Sequence, residues 1–224
     1  RFAALTYCWG STQQSSTTTA NVASRFSYLN TFMLPQTLQD ALVVARGLGL
    51  EYIWIDSLCI LQDNHEDWAS EASKMAAIYS NAHVVLAATF AKDCAEGFLR
   101  PDSHACWAPG ARTPWAIFTR GWCMQERFLA RRILHFFPNE MQFECQSERI
   151  CERDTVHETF PRPDHHRFGE LWGLVIQVYS CLSLTCKEDI LPALSGVAHG
   201  LAHLFKGKYL AGLWELDIAY QLGW

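Results

Sequence analysis

The sequence feature that most constrains the fold is a series of short runs that are almost wholly apolar. Residues 52–56 read Tyr-Ile-Trp-Ile-Asp, and residues 83–88 read His-Val-Val-Leu-Ala-Ala. Such runs, without polar alternation, are typical of strands in a parallel sheet that helices cover on both faces. Two further β-leaning runs, at residues 2–9 and 133–137, precede and follow them. We therefore predict an α/β fold with a mostly parallel sheet flanked by helices.

Between and after these runs, apolar residues recur at helical spacing, as at Leu38, Ala41 and Ala45. Gln36 or Thr37 is placed to cap the amino terminus of that first helix. Helices are predicted over residues 34–47, 68–81, 171–182, 191–205 and 209–222, and a further strand or hairpin arm over residues 141–145.

The chain length of 224 residues allows one large domain or one domain with an elaboration. We expect an α/β core over residues 1–147 and a helical extension over residues 148–224 that packs on the core. Residues 148–167 are charged and carry two prolines, which predicts a connector. Residues 90–115 are irregular, and a loop of that length inside a compact domain is usually functional or mobile.

Composition excludes several classes of protein. Half of the residues are hydrophobic and 18% are charged, so the chain can bury a sizeable core. Nine Trp and thirteen Phe imply a large aromatic core or a stacking surface for a planar ligand. The net charge of −5 argues against a nucleic-acid partner, because phosphate binding needs a basic face. No apolar run reaches transmembrane length, so we expect a cytoplasmic protein without a membrane span.

The cysteines predict neither a disulfide framework nor a metal centre. There are nine, an odd number, and none forms a C-x-x-C pair. This usage indicates a reducing compartment. A zinc site built from Cys145, Cys151 and His157 has a spacing that matches no usual zinc pattern. We expect no metal and no resident cofactor.

Two acids are candidates for a site. Glu126 lies four residues after Trp122, so on a helix the two share a face, where a carboxylate beside an indole could serve a ligand. The alternative is a solvated glutamate beside a core tryptophan. Asp56 follows an apolar strand and would stand at the carboxyl edge of the sheet, where such folds carry their sites. A capping role in the turn that begins at Ser57 is equally open. The polar loop 11–19 after the first strand is a ligand loop or an exposed connector.

Several multi-residue motifs are familiar as a set. Those that carry the likeness are Ala4–Gly10, Leu34–Ala41, Tyr52–Ile60, Met75–Ala82 and Arg120–Glu126. Together they resemble the fungal heterokaryon-incompatibility (HET) domain family, and segments of residues 184–214 look like the extension that often follows its core. The likeness spans nearly the whole chain. The interval between Gly97 and Arg120 departs from the pattern, since family members usually carry more residues there.

HET domains in turn resemble TIR domains, whose fold is flavodoxin-like. Many TIR domains carry a W-C-x-x-E segment on a late helix, and Trp122-Cys-Met-Gln-Glu126 matches that spacing. In enzymatic TIR domains this glutamate is the catalytic residue of NAD cleavage. The resemblance therefore implies a TIR-like fold, a catalytic role for Glu126, and NAD as a substrate rather than a cofactor.

The implied reaction is consistent with a single acid. Cleavage of the nicotinamide–ribose bond passes through an oxocarbenium-like sugar. Nicotinamide leaves as a neutral base, so one carboxylate that stabilises the developing positive charge suffices. Arg120 could hold a diphosphate, or it could form a structural ion pair with Glu126 or Asp56. The residues assigned to substrate binding are Tyr7, Trp9, Gly10, Ser11, Asp56, Arg120, Trp122 and Gln125.

Three functions remain open from the sequence. The first is a HET protein of fungal non-self recognition and programmed cell death that cleaves NAD through Glu126. The second is a non-catalytic signalling module that self-associates or binds partner proteins. The third is a HET-fold enzyme whose pocket accepts another small molecule, such as a biosynthetic intermediate. A Glu126 that is covered by tryptophan or held in a salt bridge would favour the second.

Overall fold

The computed structural model describes residues 1–11, 15–99, 115–138, 140–152, 158–159, 168–205 and 207–222. Its strands are β1 (Phe2–Thr6), β2 (Tyr52–Trp54), β3 (Val84–Ala87), β4 (Arg132–Phe136), β5 (Met141–Cys145), β6 (Glu148–Cys151), β7 (Glu158–Thr159), β8 (Tyr209–Leu210) and β9 (Leu213–Trp214). Its helices are α1 (Val22–Ser27), α2 (Gln36–Gly47), α3 (Asp56–Cys59), α4 (His65–Asn81), α5 (Gly121–Leu129), α6 (Phe168–Ser180), α7 (Ile190–Leu201) and α8 (Ile218–Gln221).

Strands β1–β7 form one sheet in the order β2-β1-β3-β4-β5-β6-β7. The pairs from β2 to β4 are parallel, and the pairs from β4 to β7 are antiparallel. The order 2-1-3-4 of the parallel half is that of flavodoxin-like sheets. The predicted α/β fold is confirmed.

The apolar runs of β1 and β3 become strands that are buried on both faces of the sheet, whereas the edge strand β2 is only partly buried and exposes Tyr52. In β1, alternate side chains enter opposite cores, as the two-residue period of a strand requires. Ala3 and Leu5 pack in the core beneath α2, whereas Ala4 packs in the core beneath α4 and α5. The same alternation continues past the strand end, so Tyr7 and Cys8 reach different faces.

The amino terminus of α2 differs from the prediction. Its cap is Pro35, and the side chains of Gln36 and Thr37 do not cap it. Instead the Thr37 N–H donates to the carbonyl of Cys94 at 2.9 Å, and the Thr37 hydroxyl accepts from the Gly97 N–H at 3.2 Å. The polar start of α2 therefore binds the loop after β3.

Two segments have a different secondary structure from the one predicted. Residues 148–152 and 158–159 contain β6 and β7, which extend the sheet, whereas the charges and prolines predicted a connector. A helix over residues 209–222 is also wrong. This segment is the β8–β9 hairpin followed by the short α8. The hairpin turn uses positive φ at Ala211 (47°) and Gly212 (103°), which no helix accommodates.

The carboxyl-terminal helices and the hairpin form a third core. Trp172 and Trp214 are fully buried at its centre, with their ring centroids 5.8 Å apart and edge to face. Trp122 and Met124 of α5 pack against this core as well. One side of α5 thus contacts the sheet, and another contacts the extension. Among the described residues, no helix is long and apolar enough to cross a membrane.

Candidate functional site

The candidate site lies at the carboxyl ends of β1 and β3. In the order 2-1-3, the chain connections leave β1 and β3 in opposite directions, and ligands of open α/β sheets bind in the crevice that results. Tyr7 and Trp9 follow β1 at this edge, and Asp56 follows β2. The Cys123 thiol of α5 lies 3.9 Å from the carbonyl oxygen of Tyr7. Helix α5 therefore brings Glu126, which lies one turn after Cys123, to the same region.

Glu126 is a buried acid at the inner end of this site, with 4% of its surface exposed. Burial, and next the nearby Asp56 carboxyl, raise its pKa to about 8. The hydroxyls of Thr6 and Tyr79 and the charge of Arg120 act in the opposite direction and lower the pKa. The acid is therefore largely protonated at neutral pH in the free protein, and it ionises when the surroundings become more basic or more positive.

Asp56 is held in place by neighbours that belong to the motifs of the sequence. The indole Nε1 of Trp9 donates to its Oδ2 at 2.8 Å, and the Ser57 N–H donates to its Oδ1 at 2.6 Å. The Tyr7 hydroxyl donates to the Ser57 hydroxyl at 2.8 Å. Burial raises the pKa of Asp56, whereas these hydrogen bonds and Arg120 lower it. Asp56 is the first residue of α3, whose cap is Ile55, and it stands at the sheet edge.

The side chain of Asp56 keeps partial exposure to solvent, although protein surrounds the carboxyl. Trp9 is likewise half-buried, and its ring is fixed by the bond to Asp56. An aromatic ring and a carboxylate that lie side by side are groups that suit a planar, hydroxyl-bearing ligand.

Arg120 is the cation nearest to these acids. It precedes α5, and its backbone pairs with Ser183 in an isolated bridge, which fixes the start of the helix. Its side chain lies close to the thiols of Cys8 and Cys123, and its charge lowers the pKa of both Asp56 and Glu126. Among the described residues, no ion pair within 4 Å joins Arg120 to either acid.

Trp122 and Gln125 of the α5 motif have partners outside the acid cluster. The Trp122 indole donates to Asp189 at 2.9 Å and meets the ring of Trp68 edge to face, at the boundary with the extension. Gln125 is buried against α7, where a methyl group at Gly196 would overlap its amide. The contacts of Trp122 and Gln125 are thus with α4, α7 and the segment before α7.

Gly10 and Ser11 form a tight turn above the site. Gly10 has φ +74°, and a side chain there would overlap the carboxyl of Asp93. That carboxyl accepts the Ser11 N–H at 2.8 Å. The loop after β3 is in turn held by Asp40 of α2, which accepts the Phe98 N–H at 2.6 Å. Residues 12–14 of the predicted ligand loop lie outside the described residues.

Sequence reasoning missed the groups that adjoin Glu126 and the residues that hold the loop. Tyr79 donates its hydroxyl to the Leu5 carbonyl at 3.0 Å and lies beside Glu126, and Thr6 contributes a second nearby hydroxyl. Asp93 and Asp40 orient the loop that borders Gly10. Tyr79 and Asp40 lie within the motifs that carry the HET resemblance, which is the one signal that could have identified them.

The described residues offer no group of three or more His, Cys, Asp or Glu that could hold a metal ion. The fold and the acid cluster define an α/β domain with a candidate small-molecule site at the switch point of its parallel strands.

A family profile described as Heterokaryon incompatibility protein (HET) matches residues 2–113, which is half of the 224 residues. The chain belongs to this family, and the HET resemblance is confirmed. The match includes Tyr7, Trp9 and Asp56 but ends before Glu126. Comparisons with curated proteins and with solved structures gave no significant match.

Proposed function

We propose that this HET-family protein cleaves the nicotinamide–ribose bond of NAD and acts in fungal non-self recognition and programmed cell death. The observation that carries the proposal is a buried Glu126 beside Asp56 at the switch point, without an ion pair to any described residue. Arg127, the neighbour that could have neutralised it, instead binds Glu144 at 2.8 Å. The W-C-x-x-E likeness to TIR domains supports the same residue.

The proposed step is a heterolysis of the C–N bond. The bonding electron pair moves to the pyridinium nitrogen, which leaves as neutral nicotinamide, and the ribose becomes oxocarbenium-like. Water then adds to the sugar carbon and releases a proton. An ionised Glu126 stabilises the positive charge of the sugar. A pyridinium ring next to Glu126 also favours ionisation of this acid, so substrate binding itself promotes the active charge state.

The other residues have supporting roles in this proposal. Trp9, fixed by Asp56, offers a ring face on which a base of the dinucleotide stacks. The Asp56 carboxylate accepts ribose hydroxyls, and Arg120 at the head of α5 binds the diphosphate. Tyr7 holds the turn at Ser57 and thereby the position of Asp56.

NAD turnover by the purified full chain tests the proposal, over a range of protein concentrations because assembly could complete the site. We expect Glu126→Gln to reduce turnover by about 100-fold or more, as removal of a major electrostatic stabiliser does. Glu51→Gln is the matched control, since this exposed glutamate lies away from the site between α2 and β2. Equal turnover by the parent and Glu126→Gln would show that Glu126 is not the catalytic acid.

A second function is favoured by a separate surface. Large apolar side chains are exposed in and after α1, namely Phe26 (89%), Tyr28 (72%), Phe32 (85%) and Met33 (77%). Exposed apolar patches of this kind mark interaction sites. Concentration-dependent assembly without NAD turnover would support a signalling module that self-associates or binds a partner protein. Replacing Phe26 and Phe32 by Ser would then abolish assembly.

A further inference from the structure

A second cleft lies between α4, α5 and α7. We call it the α4–α7 groove, and its volume is about 500 Å³. Residues that line it include Ala76, Ala77, Gln125, Ser195 and Gly196. A cleft of about 300–1,000 Å³ is the usual size for a small-molecule site.

Most of the described residues that line the groove are small, and Leu129 and His199 are larger members of the lining. Helix α4 contributes alanines and serines, and α7 contributes Pro192, Ser195 and two glycines. The described residues that line the groove include no Asp, Glu, Lys or Arg. A charged ligand would find no carboxylate, ammonium or guanidinium group as a partner among these residues, so the groove better fits a neutral compound with an apolar body.

The floor of the groove holds a polar group that lacks a partner. Gln125 is 1% exposed, and its side-chain oxygen has no hydrogen-bond partner among the described residues. Its amide lies against Gly196, where the absence of a side chain makes room for it. A buried amide oxygen without a partner is costly, and native proteins satisfy nearly all such groups.

We propose that the α4–α7 groove binds a neutral primary carboxamide whose amide pairs with the amide of Gln125. The NH2 group of a primary carboxamide can donate to the Gln125 oxygen, and its own oxygen can accept from the Gln125 NH2 group. The pairing is therefore possible in either orientation of the Gln125 amide. The apolar body of the ligand then lies on the alanines of α4 and the glycines of α7. Gln125 is one of the residues that line the groove, so a ligand in the groove lies next to this side chain.

This site is distinct from the one proposed for NAD. Gln125 and Glu126 are consecutive residues of a helix and point about 100° apart, Gln125 towards α7 and Glu126 towards the sheet. The proposal does not rest on NAD cleavage. Nicotinamide, which the proposed reaction releases, is nonetheless a member of the ligand class.

The test is an NMR titration of the ¹⁵N-labelled full chain with benzamide, and with acetophenone as an isosteric probe that lacks the amide donors. Gln125→Leu removes the amide at similar volume. Ala77→Phe fills the groove from its exposed rim without changing the floor, and Ser70→Phe is its matched control on the exposed side of α4 outside the groove.

We expect benzamide to shift resonances of α4, α5 and α7 and to bind about tenfold more weakly to Gln125→Leu, which loses both bonds of the amide pair. Ala77→Phe should abolish binding, and Ser70→Phe should retain it. Acetophenone should bind the parent about as weakly as benzamide binds Gln125→Leu. Equal affinity of Gln125→Leu and the parent for benzamide would overturn the proposal.

Binding that persists in Ala77→Phe would place the amide elsewhere, for instance at the Glu126 site, and would overturn the proposal too. The outcome is independent of NAD turnover. Loss of turnover in Glu126→Gln with unchanged benzamide binding would leave both proposals standing, and each can fail alone.

Discussion

Replacing Glu126 by Gln should make the protein more stable at alkaline pH and leave its stability at acidic pH nearly unchanged. Burial and the Asp56 carboxyl raise the pKa of Glu126 from 4.5 to about 8 in the folded protein. In the unfolded chain, the same group titrates near its ordinary value of about 4.3. Between these two values the folded state holds a proton that the unfolded state has lost, so stability falls as pH rises.

The size of the effect follows from linkage. Each pH unit within this window lowers the free energy of unfolding by about 1.4 kcal/mol. From about pH 5.5 to pH 8 the loss from Glu126 alone amounts to about 3 kcal/mol, and above about pH 8 it no longer grows. Glutamine has no proton to lose and escapes this penalty. For a chain of this length the melting temperature should differ by about 6–12 °C at the alkaline end.

The assay is thermal unfolding of the parent and Glu126→Gln, followed by circular dichroism at about pH 5.5 and pH 8.5. The difference between the two proteins isolates Glu126 from the other groups that titrate. Glu51→Gln, an exposed glutamate, should follow the parent at both values. A difference between Glu126→Gln and the parent that does not change with pH would refute the argument that the acid is buried and protonated.

Three further outcomes are expected. Asp56→Asn removes a charge that raises the pKa of Glu126. The pH at which NAD turnover reaches half its alkaline plateau should therefore fall below about 8. An unchanged pH–rate profile would contradict the coupling of the two acids. Gly10→Ala should lower the free energy of unfolding by about 2 kcal/mol in urea, because φ is +74° and the methyl group overlaps Asp93. Glu144→Gln should make the free energy of unfolding depend less on pH between about pH 4.5 and pH 2. Burial raises the pKa of Glu144, but hydrogen bonds from His135 and Arg127 lower it to about 2. The stabilisation that the ionised Glu144 provides is lost as pH falls through this range.

The strands of the parallel sheet could be predicted because each is a short run of almost wholly apolar residues. Short apolar runs bounded by turn residues are typical of strands in a parallel sheet that helices cover, and β1 to β4 were all expected near their observed positions. The long helix α4 was equally clear, with Asn64 at its amino terminus accepting from the N–H groups of Glu66 and Asp67 at 3.0 Å.

The β8–β9 hairpin was not predictable in the same way. Residues 209–222 include aromatic and apolar residues that suit a helix. The segment forms a hairpin instead, because Gly212 has a positive φ and Trp214 packs against Trp172. The nitrogen of the buried Trp172 indole donates to the Gly212 carbonyl at 2.9 Å, which fixes that turn. Partners that are 40 residues apart leave no local signal in the sequence.

Local sequence determined that Glu126 and Gln125 are neighbours on one helix, and that Asp56 ends an apolar run. Only the tertiary structure decided which surface each side chain meets. Helix α5 lies between the sheet and the carboxyl-terminal core, so residues one position apart face different layers. Glu126 therefore shares a buried, electrostatically coupled site with Asp56, while Gln125 lies in the α4–α7 groove. The spacing of a motif fixes angles around a helix axis, but the packing of the whole chain determines what lies at each angle.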